Sequence, residues 1–473
     1  MTDSTADIPG LIADLGDIPV ITEATLVAQK SRDFYWYSPV LKRQLDGKVA
    51  DLVIQPGSEA EVVAAVRACF ARNVPVVVRG GGTGNYGQAV PLKRGAILDL
   101  GRMTAIKWLK PGAARVEAGL KLSALDKAAQ RALGQELRIH PSTHKTGTVG
   151  GFVCGGSSGV GSITFGLLRD RGNVAGLRVV TMEAEPRILE LRGDDVQKVN
   201  HAYGTNGVVT EVEMPLATAW NWADVMVAGP DFMELARFAQ ALGQHVGILK
   251  KLVAPIAAPL PEDYFRPLKE FIPAGHHVAL LMIAEQSLEA FDALLAEWPG
   301  LAKIYQRTAK DLVGKTPLYE YAWNHTTLQG LKVDRTITYL QILFPPPDHL
   351  AKVELAHRTL GDEVPMNLEF VNLGGEIGCF GLPVVRYTTD QRLYEIIDFF
   401  EANGCPVFDP HVYTLEDGGM KMVDAAQLAF KREADPRGLM NPGKMVAWDD
   451  PDYRADPSRT HLYRIGGGDR AAE

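Results

Sequence analysis

Nine consecutive residues, Arg79-Gly80-Gly81-Gly82-Thr83-Gly84-Asn85-Tyr86-Gly87, carry the densest chemical signal in this sequence of 473 residues. A run this rich in glycine reaches positive φ without a Cβ penalty and can turn successive N–H groups toward one point. Convergent N–H groups bind phosphate oxygens, so the expected chemistry is the holding of a pyrophosphate. Gly82-x-Gly84-x-x-Gly87 also fits the dinucleotide fingerprint, which requires a helix directly after the loop. Here the chain continues through Pro91 into the strand-like Ala96-Ile97-Leu98-Asp99-Leu100, and no helical period starts before about Lys121. The phosphate reading stands and the Rossmann reading falls.

Acid–base candidates lie much further along. In Pro317-Leu318-Tyr319-Glu320-Tyr321-Ala322-Trp323-Asn324-His325, an extended chain would put Tyr319, Tyr321, Trp323 and His325 on one face. Three rings beside an imidazole would make an aromatic substrate wall with a proton acceptor. The alternative is a sheet face packed in a core, with His325 merely hydrogen-bonded. Arg335 could pair an anionic substrate group, or form a surface salt bridge. His411 and Tyr413 offer a second base and a phenol donor, against an ordinary core role. His325 and His411 therefore compete for the role of base.

These residues need elements to hold them. The strand-like Val74–Val78 leads into the glycine loop. Upstream, Val53-Ile54-Gln55-Pro56-Gly57-Ser58 precedes an amphipathic helix over Glu59–Arg72, with Ser58 as cap and Glu61 at the third helical position. Strands are expected over 96–100, 114–118, 174–181 and 207–214, and a helix over 122–133. Amphipathic segments follow at 231–242 and 286–297, and Tyr394, Ile397 and Phe400 recur at helical spacing. Pro141-Ser142-Thr143, then Thr148-Val149-Gly150-Gly151 and Gly155-Gly156-Ser157-Ser158-Gly159 form a second glycine-rich stretch. Val149, Phe152 and Val153 among those glycines argue against a flexible linker.

Taken in order, these motifs resemble the FAD-binding domain of the vanillyl-alcohol oxidase and p-cresol methylhydroxylase (PCMH) family. Tyr203-Gly204-Thr205-Asn206-Gly207-Val208-Val209 and the closing Asp435-Pro436-Arg437-Gly438-Leu439-Met440-Asn441-Pro442-Gly443-Lys444 fit the same pattern. The resemblance implies an α+β fold: an N-terminal arm over 1–45, a two-subdomain PCMH-type FAD-binding domain over 46–218, a substrate or cap domain over 219–395, and a segment over 396–473 that packs back on the FAD domain. It implies that Arg79, Gly80, Gly81, Gly82, Thr83, Gly84 and Asn85 hold the FAD pyrophosphate. Pro141, Ser142, Thr143, Thr148, Gly150, Gly151, Gly155 and Ser158 would run along the cofactor, Gly207 and Val208 would lie near the adenine, and Asn441 would belong to the site. Relatives link the flavin through a histidine in the first loop or a cysteine before the second; this sequence has Thr83 and His144 there, so non-covalent FAD is expected.

The resemblance further implies oxidation of an alcohol, aromatic or phenolic, by hydride transfer to flavin N5 with a base taking the hydroxyl proton. Trp323 and Tyr321 would shape the pocket, and His411 and Tyr413 would face the ring. The D-2-hydroxyacid dehydrogenase branch is the alternative; its His-x-Gly-Asp-Gly-Asn-x-His metal motif is missing, and no metal is expected. Flavin-dependent ether-lipid synthases are a further rival, but their histidine cluster is reduced here to isolated histidines and the pair His276-His277. The partners implied are a small-molecule substrate and oxygen or a separate electron acceptor; dimers are common in this fold.

Composition sets outer limits. Apolar residues make up 46% and charged ones 22%, ordinary for a globular enzyme. A net charge of −8 argues against nucleic acid or an anionic membrane surface as partner. No apolar run approaches a membrane span and the start, MTDSTADIPG, lacks a signal-peptide pattern, so the expected location is cytoplasmic. Cys69, Cys154, Cys379 and Cys405 have no metal-ligand spacing and read as buried structural residues. The tail after Asp449 is polar and expected to be poorly packed.

Overall fold

A computed structural model describes residues 7–419 and 423–454. The expectations for the first six residues and for the tail beyond 454 lie outside them. The first sheet pairs Leu52–Ile54, Ala96–Asp99 and Val76–Arg79 in parallel, with Val20–Ile21 antiparallel on the edge. These strands are apolar because the helix Glu59–Ala71 covers them. That helix starts as its sequence dictates. Ser58 Oγ accepts the Glu61 N–H at 3.2 Å, and Glu61 accepts the Gly57 N–H at 2.7 Å.

The second sheet is antiparallel and centred on Val208–Thr218, flanked by Ala113–Glu117 and Gly176–Val180, with Ile106–Lys110 and Ile188–Arg192 outside and Gln135–Leu137 pairing at its end. One apolar core joins both sheets. Four residues after Thr218, Trp222 begins a third sheet, ordered Lys250–Ile256, His277–Ala284, Trp222–Gly229, Ala302–Arg307. The helix Phe232–Gln244 packs on it, and smaller sheets (Ile337–Tyr339 with Val384–Arg386; Ile342–Phe344, Glu376–Gly381 and Leu368–Leu373) extend this half.

The extended chain considered for 317–325 does not form. Leu318–Tyr321 is a 3-10 turn and Asn324–Leu331 an α-helix, with Trp323 at φ +53 between them. Buried carboxylates take the donors a ladder would need. Asp224 accepts the Leu318 N–H at 2.7 Å, and Glu369 accepts the Trp323 N–H at 2.5 Å. Side chains 319 and 321 consequently leave the face that carries 323 and 325.

The C-terminal segment returns to the first half of the chain. The Val76 N–H bonds Leu439 O at 2.8 Å, and the Asn441 N–H bonds Val76 O at the same distance. No helix among the described residues is long and apolar enough to cross a membrane.

Candidate active site

Between the two halves lies a cavity of about 490 Å³. One side is made by the loops around 80–89, 141–159 and 201–209. The other carries Glu320, Trp323, Asn324, His325, Leu328, Gln341, Phe380, Leu382 and Phe408.

The glycine loops are packed too tightly for other residues. A Cβ on Gly81 would lie 2.5 Å from the backbone oxygen of Thr146, and Gly82 has φ +62. The first loop thus rests against the second. The N–H groups of residues 80 to 85 find no protein acceptor among the described residues. Six consecutive N–H groups without a protein acceptor on a cavity wall fit an anionic ligand, because successive free N–H groups make an anion-binding concavity. The wall also holds Gln88 Oε1, Trp323 Nε1 and Asn324 Oδ1, buried and without partners. A large polar cofactor matches this set.

The residues expected at the cofactor line the cavity, except Arg79, Val208 and Asn441. Arg79 lies beneath the loop and donates to the carbonyls of Lys30 at 2.8 Å and Arg32 at 2.6 Å. Val208 is buried as the first residue of its strand. Asn441, at φ +44, donates from Nδ2 to Gln88 O at 2.8 Å and Tyr203 O at 2.7 Å. All three hold the wall from behind. Thr83 is in the wall; His144 is not, its Nε2 lying 2.7 Å from Asp126 Oδ2. Cys154 is the cysteine in the lining, its thiol pushed up to about 12 by burial.

The expected catalytic residues separate. His325 and Trp323 line the cavity. His411 does not. Its Nδ1 lies 2.7 Å from Ser38 Oγ and its Nε2 3.1 Å from Tyr339 O, so both ring nitrogens are occupied. Burial pushes its pKa down to about 3 and leaves it a neutral structural residue. Tyr413 is also outside, under Lys444 Nζ at 4.7 Å from the ring centroid. Tyr321 packs edge-on against Phe265 at 5.2 Å, and Arg335 is exposed, away from the lining.

Several wall residues were not among the expected site residues. Glu320 was hidden among aromatics. Its Oε2 lies 3.0 Å from His325 Nδ1, at ion-pair distance rather than as an aligned hydrogen bond, and its Oε1 3.2 Å from Lys145 Nζ. Burial raises the Glu320 carboxyl, but His325 and Lys145 outweigh it and hold it below its ordinary value. Phe34 and Tyr37 reach the cavity from the N-terminal arm, where the Phe34 N–H bonds Gly84 O at 2.7 Å. His201 and Tyr203, at φ +61 and +53, close the remaining side. Among the described residues no group of three or more His, Cys, Asp or Glu is placed to hold a metal.

Residues 50–190 match the family described as FAD binding domain. The chain is 25% identical to a D-lactate dehydrogenase of Archaeoglobus fulgidus over 84% of its length and 91% of that protein. It is 30% identical to the glycolate oxidase subunit GlcD of Escherichia coli K12, over 48% of this chain and 46% of that one. A solved alkyldihydroxyacetonephosphate synthase superposes with a TM-score of 0.69 at 15% identity, covering 94% of this chain and 87% of the other, a likeness of fold.

Proposed function

From the premise that this chain belongs to the FAD-binding oxidoreductases with a PCMH-type domain, we propose that it oxidises the CH–OH group of a 2-hydroxy acid with a bulky apolar side chain. The relatives named as D-lactate dehydrogenase, glycolate oxidase subunit and D-2-hydroxyglutarate dehydrogenase support the hydroxy-acid class over a phenolic alcohol. One observation carries the proposal: His325 faces the glycine-loop wall across a single cavity, with a cation and an aromatic rim beside it.

The loops 80–85 and 141–158 would hold FAD, through orphan N–H groups and glycine surfaces, without a covalent link. Bound there, FAD supplies the acceptor for the electron pair that leaves the carbinol carbon. His325 takes the hydroxyl proton on Nε2, the ring nitrogen not turned to Glu320. Lys145, paired with Glu320 at 3.2 Å, has further ammonium donors for the substrate carboxylate. Phe34, Tyr37, Trp323, Phe380 and Phe408 enclose the apolar side chain and exclude water from the reacting centre.

The test is anaerobic mixing of the holoprotein with D- and L-2-hydroxy acids of graded side-chain size and with neutral aromatic alcohols, following loss of flavin absorbance. Bleaching by hydroxy acids with aromatic or branched side chains is expected. His325→Ala should keep its flavin and slow bleaching about 10²–10⁴-fold. Lys145→Met should weaken acid binding about tenfold, the size of one charge-assisted contact, beyond any effect it has on neutral alcohols. The aromatic rim also favours a neutral aromatic alcohol. Bleaching by such alcohols and by no acid would replace the hydroxy-acid reading with that one.

A further inference from the structure

We propose that Glu320 is a positioning residue for His325, forming a carboxylate–imidazole dyad that the flavin-side loop completes through Lys145. The inference rests on the reading of His325 as the proton acceptor, and deepens it.

Glu320 is set by its own element. It lies in the 3-10 turn Leu318–Tyr321, and its backbone carbonyl accepts from Gln329 Nε2 at 3.1 Å, on the helix that carries His325. Turn and helix are thereby locked together, which fixes the carboxylate relative to the imidazole. The two carboxylate oxygens are divided between partners: Oε2 at 3.0 Å from His325 Nδ1 and Oε1 at 3.2 Å from Lys145 Nζ. Lys145 comes from the loop between Pro141 and Thr148, on the opposite side of the cavity. One carboxylate therefore joins the base to the loop against which FAD would lie.

The chemistry follows from this placement. A negative carboxylate 3.0 Å from Nδ1 favours the proton on that nitrogen by charge, which leaves the lone pair of the neutral ring on Nε2. When Nε2 takes the substrate proton, the imidazolium forms beside a fixed negative charge, which favours it. The proton would come from the hydroxyl, bound FAD would supply the acceptor for the C–H hydrogen and its electron pair, and the substrate would be left as a carbonyl. Glu320 transfers nothing; it sets the tautomer and the charge.

Among the described residues Glu320 is the acid at ion-pair distance from His325, and Lys145 reaches the pair through Glu320. Asp224 and Glu369 sit on the backbone N–H groups of Leu318 and Trp323, and burial raises both carboxyls. Tyr37, Tyr264, Tyr319, Tyr321 and Tyr339 stand on the elements packed against the His325 helix and its turn, and burial raises each phenol, so they carry no charge near neutrality. Of the acids on the neighbouring helix Leu260–Tyr264, Glu262 accepts the Gly275 N–H and Asp263 is exposed.

The experiment compares wild type, Glu320→Gln and Glu320→Asp in two readouts. The first is an NMR titration of the His325 ring in the flavin-loaded protein, assigned by the signal lost in His325→Ala. The second is the pH profile of flavin reduction by substrate. In Glu320→Gln the His325 titration is expected about one pH unit lower, the effect of losing an opposite charge at this distance. The acid limb of the rate profile, where His325 becomes protonated and can no longer accept a proton, should move with it, and Glu320→Asp should recover part of both. An unmoved His325 titration overturns the dyad. A moved titration with an unmoved rate profile overturns its role in the reaction. If no alcohol or hydroxy acid reduces the flavin, the functional reading fails, and the NMR readout still decides whether the dyad exists.

Discussion

His411 and His325 are the same residue type in opposite circumstances, and the difference lies in what each ring nitrogen meets. His411 is spent on Ser38 and Tyr339. Burial keeps it neutral, so its folded value, about 3, is depressed below the ordinary 6.5. A depressed histidine favours the folded state above the unfolded value and disfavours it as pH falls, because the unfolded chain binds the proton that the folded chain refuses. Stability should therefore fall by up to about 1.4 kcal/mol per pH unit between roughly pH 6.5 and 3 on account of this residue. His411→Gln should remove that part of the acid sensitivity in urea titrations at several pH values. It should cost about 1–3 kcal/mol at neutral pH through the altered hydrogen bonds, with flavin reduction retained. A slope unchanged from wild type would mean that His411 is accessible to protons.

Among elements, the turn that carries Trp323 shows how a fold overrides a local pattern. A tryptophan at φ +53 is costly, and the strain persists where surrounding bonds over-determine it. Glu369, on the strand Leu368–Leu373, provides one such bond to the Trp323 N–H. Burial raises the Glu369 carboxyl far above its usual range, with the Trp323 N–H opposing the shift. Glu369→Ala would orphan that buried donor and is expected to destabilise the protein by about 1–3 kcal/mol. The wall residues 323–325 should loosen as well, so KM should rise while flavin content holds. Equal loss of flavin and of substrate affinity would place the damage in the whole half of the chain instead.

At the scale of the molecule, the C-terminal segment ties the cavity loops together from behind. Asn441 bonds the carbonyls of Gln88 and Tyr203, Lys444 Nζ bonds Gly87 O at 2.7 Å, and Lys431 Nζ bonds Thr205 O at 2.8 Å. Each bond takes a carbonyl and anchors its loop from the side away from the cavity. Asn441→Gly removes the side-chain bonds without a backbone penalty, since glycine accepts φ +44 readily. The expected result is FAD affinity weakened about tenfold, or 1.4 kcal/mol, by equilibrium fluorescence with added FAD. Unchanged affinity would show that the loops hold their shape alone.

The order of glycine motifs determined the cofactor and the fold family, because a chain that passes close to a flat ligand must use glycine wherever its backbone touches another backbone. Helix Glu59–Ala71 was equally legible, since its cap and its Glu61 act within one turn. The far wall was not. Whether 317–325 is a strand or a turn and helix depends on Asp224 and Glu369, distant in sequence, which take the backbone donors. Glu320 gained its role through Lys145, some 175 residues earlier. His411 lost its candidacy to Ser38, at the other end of the chain. Local backbone needs are written in local sequence; which side chain faces the cavity is decided by partners that only the tertiary structure brings within reach.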